Sequence, residues 1–592
     1  MLSSPACACC VCPVHGPARP EAHPSDRAGW ADPAREYLDS VVNWLDGPEA
    51  MGAGHGDLEA RLQVYSREQY RLLLQGHLDE RARLEKRRGG VTGSDGVPRP
   101  RVENGHRREL TTVLGPVTVT RKAYRASAGT GDVGTGTTSP TASDTQPGPA
   151  SDGTGMTTGL TSGVLASTPT ASDTQPGPAS DGTGMTTGPT SGVLASTPSA
   201  GNLHPADAVL NLPVGRPSAG LARLAAVEAA RGSFDDAQEA IERATGVQLG
   251  KRQVEGLARH AAVDVDAFYT ARRSQPCPDR VLGLQCDGKG IVMRPGHLRP
   301  GTAKLAAKAS AKLSTRLSPG EKHGRKRMAE LVAVYDLDPE PRTVDDIIPA
   351  SSTSRVGKQA RRPGPVVTGK WLAASVTDDI PAVITRMFDE AERRDPNHER
   401  TWVALVDGNR QQIDTIRDQA ATRGITVTTI IDFVHVIEYV WKAAWTFFYP
   451  GDPDAETWVA GHARTILTGR AVDAAATIRR QADAARFRGS ERTGADEAIT
   501  YLTAKAPYLD YATALANGWQ IATGIIEGAA RFLIKDRMDI TGARWTTPGA
   551  EAVLHLRAVI ANGDFDEYWQ WHQQQELRRN HLDHYQQLDL AA

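Results

Sequence analysis

At 592 residues the chain is too long for a single hydrophobic core and has room for roughly three or four domains. Its 68 Lys plus Arg nearly balance 70 Asp plus Glu, and the formal charge of -2 excludes a histone-like, polyanion-coating protein while leaving room for a local basic surface. Hydrophobic residues at 40% and aromatics at 6% are too few for every segment to be core, and six Cys are too few for a disulfide scaffold.

Cys7, Cys9, Cys10, Cys12 and His15 crowd the start of the chain. They resemble metal ligands but lack the paired spacing of a zinc knuckle, and no second ligand pair follows. Residues 1–48 therefore read as a flexible, Cys-containing lead-in with one short helix over 34–45. The sequence shows no basic-then-apolar leader and no apolar run approaching about eighteen residues. The expectation is a soluble protein of a reducing cytoplasm.

Residues 49–125 form the next unit. Leu58, Leu62, Tyr65, Tyr70, Leu73, Leu74 and Leu78 recur at helical steps over 57–88. Residues 110–114 and 117–124 alternate as strands around Gly115-Pro116, which predicts a β-hairpin. Composition then collapses over 126–201, where 141–169 recurs as 170–198 with one difference, Leu160 against Pro189. This Thr/Gly/Ser/Pro/Asp repeat has no apolar periodicity and is expected to be a disordered linker.

Over 202–275 Ser233-Phe-Asp-Asp236 opens a helix as a capping box, Thr245-Gly246 turns, and a second helix follows over 251–261. Lys251, Arg252, Gln253 and Arg259 face outward on it. A helix-turn-helix that reads a major groove has this plan; an ordinary αα-hairpin has it too, and periodicity does not separate them.

From 276 the pattern becomes α/β. Strands are expected at 281–286, 331–335, 402–406 and 425–431, with helices at 378–392 and 413–421. Asp287-Gly288 and Asp407-Gly408 close two of the strands, where a carboxylate can stand above a sheet edge. Two such carboxylates and a Glu suit a two-metal phosphoryl-transfer site, since hard oxygens hold Mg²⁺ ions about 3.5–4 Å apart. Asp336 and Asp432 end strands as well, and a strand-end Asp is more often a turn former, so position alone does not choose among the four.

The third carboxylate is Glu527, on a helix with Ile526, Ala530 and Leu533 as its buried stripe. Arg531 and Lys535 follow Glu527 at four-residue steps, which fits a surface ion-pair ladder or a metal ligand beside phosphate-binding cations. Residues 281–327 hold eleven Lys or Arg against Asp287 and Glu321, and 351–370 hold five bases and no acid. Such loops beside a carboxylate site form a track for a polyanion. Gly364 to Lys370 has P-loop spacing, but Trp371 stands where Ser or Thr is required.

Several blocks together resemble the ISKra-type insertion-sequence transposases. They include Gln285-Cys-Asp287-Gly-Lys-Gly-Ile-Val-Met-Arg294, Val403-Ala-Leu-Val-Asp407-Gly-Asn409, Asp432-Phe-Val-His435, Asn517-Gly-Trp-Gln-Ile-Ala-Thr-Gly524, Glu527-Gly and Lys535-Asp-Arg-Met-Asp-Ile-Thr-Gly-Ala-Arg-Trp545. The resemblance spans roughly 58–126 and 202–571; the duplicated linker and the Cys-rich start depart from the family pattern.

The resemblance implies a DDE transposase with an α/β, RNase H-like catalytic core in two parts, 276–433 and 511–562. An all-α insertion at 434–510 interrupts the core, a C-terminal helical tail occupies 563–592, and helical, hairpin and helix-turn-helix regions precede it. Asp287, Asp407 and Glu527 would be the catalytic, metal-holding residues for Mg²⁺, with Mn²⁺ able to substitute. Asp432 and His435 would support them. Lys251, Arg252, Arg531, Lys535, Arg537 and Arg544 would hold double-stranded DNA, both the transposon terminal inverted repeats and the target. Trp441, Trp445 and Trp458 would pack inside the insertion or stack on an exposed base. The protein would act as a homo-oligomer on DNA, associated with the bacterial nucleoid and not with a membrane. The competing expectations are a catalytically silent remnant that only binds DNA, and a simple RNase H-like nuclease.

Overall fold

A computed structural model of the chain describes residues 29–127, 201–272, 280–308, 325–349, 362–540 and 542–590. The Cys-rich start, the tandem repeat, and the basic stretches 309–324 and 350–361 lie outside the described residues.

The N-terminal unit pairs the helices Asp32–Leu45 and His55–Leu84. Against the longer one lies a hairpin of β1 (Arg101–Thr112) and β2 (Gly115–Arg125). Leu78, Leu110, Val117 and Val119 form the buried seam between them. Gln75 fastens the helix to the strand edge, its side-chain amide bonding both N–H and C=O of Thr118 at 2.8 and 3.0 Å. The hairpin turns at Val113-Leu114, two residues before the expected Gly115-Pro116. Thr112 closes it by accepting the N–H of Leu114 and donating to the Gly115 carbonyl, while Gly115 takes φ +121°.

The helices Ala219–Arg231, Phe234–Thr245 and Lys251–Ala261 make a compact triple. The capping box at Ser233 is present, and Gly246 ends the middle helix at φ +71°.

The central layer is a five-stranded sheet in the order β5-β4-β3-β6-β7. β3 (Val281–Val292), β4 (Lys326–Asp338) and β5 (Val366–Ser375) are antiparallel, while β6 (Trp402–Val406) and β7 (Val427–Ile431) add parallel to β3. One face, with Leu282, Leu284, Val332 and Val334, packs against Ile384, Met387 and Phe388 of the helix Ile380–Arg394. The other, with Ile291, Leu331, Ala333 and Leu372, packs against Ile526, Leu533, Val553 and Leu554. Burial on both faces explains why the strands read as apolar runs without alternation.

Two expectations change here. β3 runs six residues past Cys286, because antiparallel pairing with Lys326–Glu330 overrides the turn signal of Gly288-Lys289-Gly290. A Cβ at Gly288 would stand 2.9 Å from Glu330 Oε2, so glycine gives the neighbouring strand its room. β5 falls partly on residues read as basic loop; Gly369, at φ +57°, marks an irregularity in the pairing that hides its period.

Between β7 and the next part of the core stand four helices, Phe433–Phe447, Pro453–Leu467, Ala471–Ala484 and Thr493–Lys505. Their interior is rich in alanine: Ala443, Ala444, Ala474, Ala475, Ala495 and Ala498 are buried. Small residues let the backbones close in, and a Cβ at Gly494 would lie 2.2 Å from the Lys442 carbonyl. Trp441 and Trp445 stack on each other at 5.2 Å, and Trp458 donates to Gln481 at 2.9 Å. Among the described residues no helix is long and apolar enough to cross a membrane.

Candidate active site

The parallel registers set three aspartates side by side. Gln285 pairs with Leu405 and Leu405 with Ile430. Two residues further along each chain path stand Asp287, Asp407 and Asp432. Asp432 still donates its N–H to the Val406 carbonyl at 2.8 Å, which carries the ladder past the strand end. Parallel neighbours share a face at a strand spacing of about 4.8 Å, so three acids of one charge meet on the face that carries Glu527.

Glu527 arrives on the short helix Gly524–Ala529, which β3 itself anchors. Gln285 is fully buried; its Oε1 accepts the Ile526 N–H at 2.9 Å and its Nε2 donates to the Tyr335 hydroxyl at 2.8 Å. That hydroxyl donates in turn to Gln520 at 2.7 Å. Tyr335 fits only because residue 283 is glycine, whose Cβ would otherwise lie 2.2 Å from the ring. The sequence signal for Gln285 is its place two residues before Asp287, on the same strand face.

Asp432 and Glu527 meet through Thr523, whose hydroxyl donates to Asp432 and lies 3.2 Å from Glu527 Oε1. Asp432 is also the N-cap of the next helix, accepting the Val434 N–H at 2.8 Å, and lies 3.4 Å from His435 Nδ1. Burial would raise the Asp432 carboxyl, but the bonds from His435 and Thr523 outweigh it and hold it low. His435 is raised to about 9 by its bond to Asp432, so it is an imidazolium at neutral pH.

Asp287 behaves in the opposite way. Burial lifts its carboxyl and the negative charge of Asp407 adds to the lift, against the bond from the Gly288 N–H at 2.7 Å. Asp407 accepts the Asn409 N–H at 2.8 Å, and Lys505 clamps the same turn by donating to the Gly408 carbonyl at 2.8 Å. Gly408 takes φ +93°. Glu330 pairs with Gly288 and so lies on the opposite sheet face from Asp287; it is pushed up to about 7, mainly by burial and further by the Asp287 charge.

Asp287, Asp407 and Glu527 make no ion pair with a cationic side chain among the described residues. Asp287 and Asp407 are half-buried and Glu527 is exposed, and the row offers hard oxygen donors of the kind that hold a divalent cation. Among the described residues, Asp432, His435 and Glu527 bring their ligand atoms within 4.8 Å of one another. As it stands, the Glu527 carboxylate is therefore turned toward the Asp432 end of the row.

The expected DNA-binding cations divide. Arg252, Arg531, Lys535 and Arg544 are exposed. Lys251 is exposed but paired with Asp235. Arg537 is the correction: it is 3% exposed, donates to the Ala229 carbonyl at 3.2 Å, and lies over the Trp545 and Phe234 rings at 4.8 and 5.2 Å. With Arg557, which bonds the Ala230 carbonyl, it caps the helix Ala219–Arg231. Of the two readings of the 527/531/535 spacing, the surface ion-pair ladder is not formed, since Arg531 pairs with Asp536 and not with Glu527. Residues Ala530–Lys535 form a π-helical turn, and Arg531 faces Asp536 at 3.7 Å. No family model matches the chain, and no curated protein matches it.

Proposed function

We propose that this protein is a metal-dependent DNA-strand-transferring enzyme, a DDE transposase of the ISKra-type resemblance with an RNase H-like core. One observation carries the reading: Asp287 and Asp407 each stand two residues beyond the register pair Gln285–Leu405 of adjacent parallel strands, under a helix that presents Glu527 and is bonded to β3 through Gln285. In chain order through the five-stranded sheet, Asp287 is on the first strand, Asp407 follows the fourth and Glu527 comes on a later helix, as the resemblance requires. The four-helix segment stands where the family's insertion is expected.

In this reading Asp287, Asp407 and Glu527 would hold Mg²⁺, which would supply Lewis-acid stabilisation of the phosphate and acidify a water. The acid row would orient a water for in-line attack on a phosphodiester at the element's end, breaking its P–O bond to the flank and freeing a 3′-OH. The 3′-OH then attacks a target phosphodiester, forming one P–O bond as another breaks. Lys505 and Tyr501, packed on the Asp407–Gly408 turn, hold the row in place. Arg294 and Arg544, exposed on segments joined by the bond from the Arg294 N–H to the Trp545 carbonyl, offer cations to the DNA backbone, as does the exposed Lys535.

The test is cleavage of a DNA fragment carrying the gene's own flanks, in Mg²⁺, Mn²⁺ or EDTA, with wild type beside Asp287→Asn. Metal-dependent nicks at fixed flanking positions, absent in the variant, support the proposal. Site-specific binding without cleavage turns the reading to a DNA-binding remnant, and nicks without sequence preference turn it to a simple nuclease.

A further inference from the structure

A second cluster of metal-ligating side chains lies away from the acid row, where the helix Lys251–Ala261 meets the helix Phe565–Asn580. His572 and Glu576 are four residues apart and share one face of the latter helix. His260 reaches them from the former. One ligand atom from each of the three lies within 4.8 Å of the others, and His260 Nε2 stands 2.8 Å from Glu576 Oε2.

The surroundings are those of a built site. His572 is 1% exposed, and its Nδ1 is 2.6 Å from Asp264 Oδ2. A buried carboxylate on one ring nitrogen fixes the tautomer and leaves Nε2 for a ligand, the second-sphere arrangement that orients metal-binding histidines. Arg579 holds the far side by donating to Asp264 at 2.8 and 3.0 Å and to Glu576 Oε1, so Oε2 is the oxygen turned to His260. Asn580 donates to the same Oε2 at 2.7 Å and steadies it. A cavity of about 360 Å³, lined by Leu257, His260, Trp569, His572 and Glu576, opens directly on the three side chains. Two imidazoles, one carboxylate and an open side match the donor set and vacant fourth position of a zinc centre.

We propose that His260, His572 and Glu576 form a Zn²⁺ site that ties the second helix of the Ser233–Ala261 helix pair to the C-terminal helix, with its fourth position open to the cavity. The site is independent of the acid row and of the activity proposed for it. A cation that binds the folded chain and not the unfolded one raises its melting temperature by mass action.

The test uses the full-length chain, stripped with chelator and titrated with ZnCl₂. Bound zinc is counted by elemental analysis after gel filtration, and melting is followed in parallel. His260→Ala is the main variant, because His260 is half exposed and its loss opens no buried void. Glu527→Gln is the second variant and reports zinc taken up at the Asp432–His435–Glu527 group. The expected result is one zinc retained by wild type and Glu527→Gln, with a melting temperature several degrees higher than in EDTA, and zinc and shift both lost in His260→Ala. Retention of the zinc in His260→Ala, or its absence from wild type, overturns the proposal.

Discussion

Gln285 accepts the backbone N–H of Ile526 at 2.9 Å, a bond between the middle of β3 and the first turn of the helix that bears Glu527. Residues 241 positions apart in sequence are joined by this one amide. Because Gln285 and Asp287 share a strand face, the bond sets how far Glu527 stands from Asp287.

Replacing Gln285 with Leu leaves the Ile526 N–H without its partner and removes one of the two bonds at the Tyr335 hydroxyl, which keeps Gln520. Unpaired buried groups cost about 1–3 kcal/mol, so denaturant unfolding should show a loss of that size. Cleavage should fall further than the loss of folded protein explains, while binding to DNA ends is unchanged. Full cleavage in a folded Gln285→Leu protein would remove Gln285 from any positioning role.

Asp287→Asn, Asp407→Asn and Glu527→Gln should each lower metal-dependent cleavage by roughly a thousandfold or more. Neutralising Asp287 or Asp407 relieves a repulsion between neighbours, so these variants should melt no lower than wild type. A variant that keeps its cleavage rate identifies a residue outside the reaction.

The two classes of basic residue should separate by assay. Arg531→Ala, Lys535→Ala and Arg544→Ala should weaken DNA binding across sequences, each reducing the salt slope by about one for every phosphate no longer neutralised. Arg537→Ala should instead unfold at lower denaturant, since it removes the cap on the Ala229 carbonyl and the guanidinium stacked on Phe234 and Trp545. If Arg537→Ala melts like wild type and alters only the salt slope, the structural role assigned to it is wrong.

Acid sensitivity should trace in part to Glu551. Burial would raise its carboxyl, yet His555, Ser375 and the Val376 N–H hold it down at about 2, against an ordinary value of 4.5. A depressed carboxyl stabilises the fold fully above 4.5 and loses that contribution as pH falls toward 2. The contribution is on the order of 2–3 kcal/mol. The stability gap between wild type and Glu551→Gln should therefore shrink as pH falls from 4.5 toward 2. A gap independent of pH would show that the carboxylate charge contributes nothing.

Local elements were legible in the residues alone: the capped helix after Ser233, the strand at Trp402–Val406, the helical run after Asp432 and the apolar stripe of Ile526, Ala530 and Leu533. Each of these depends on neighbours a few residues away, and periodicity and capping chemistry record such neighbours directly. Residue type and place also marked Asp287, Asp407 and Glu527 as candidates. Which strand-end aspartates stand together was settled only by the folded sheet. Asp336 left the group by pairing with Arg394 and Arg400 on the far side of the sheet, and Asp432 joined it through the β6–β7 register. Strand extension past Gly288, the burial of Arg537 and the Gln285–Ile526 bond were settled the same way. Each depends on what lies across a sheet or under a helix from a distant part of the chain, and a one-dimensional pattern carries no term for that partner.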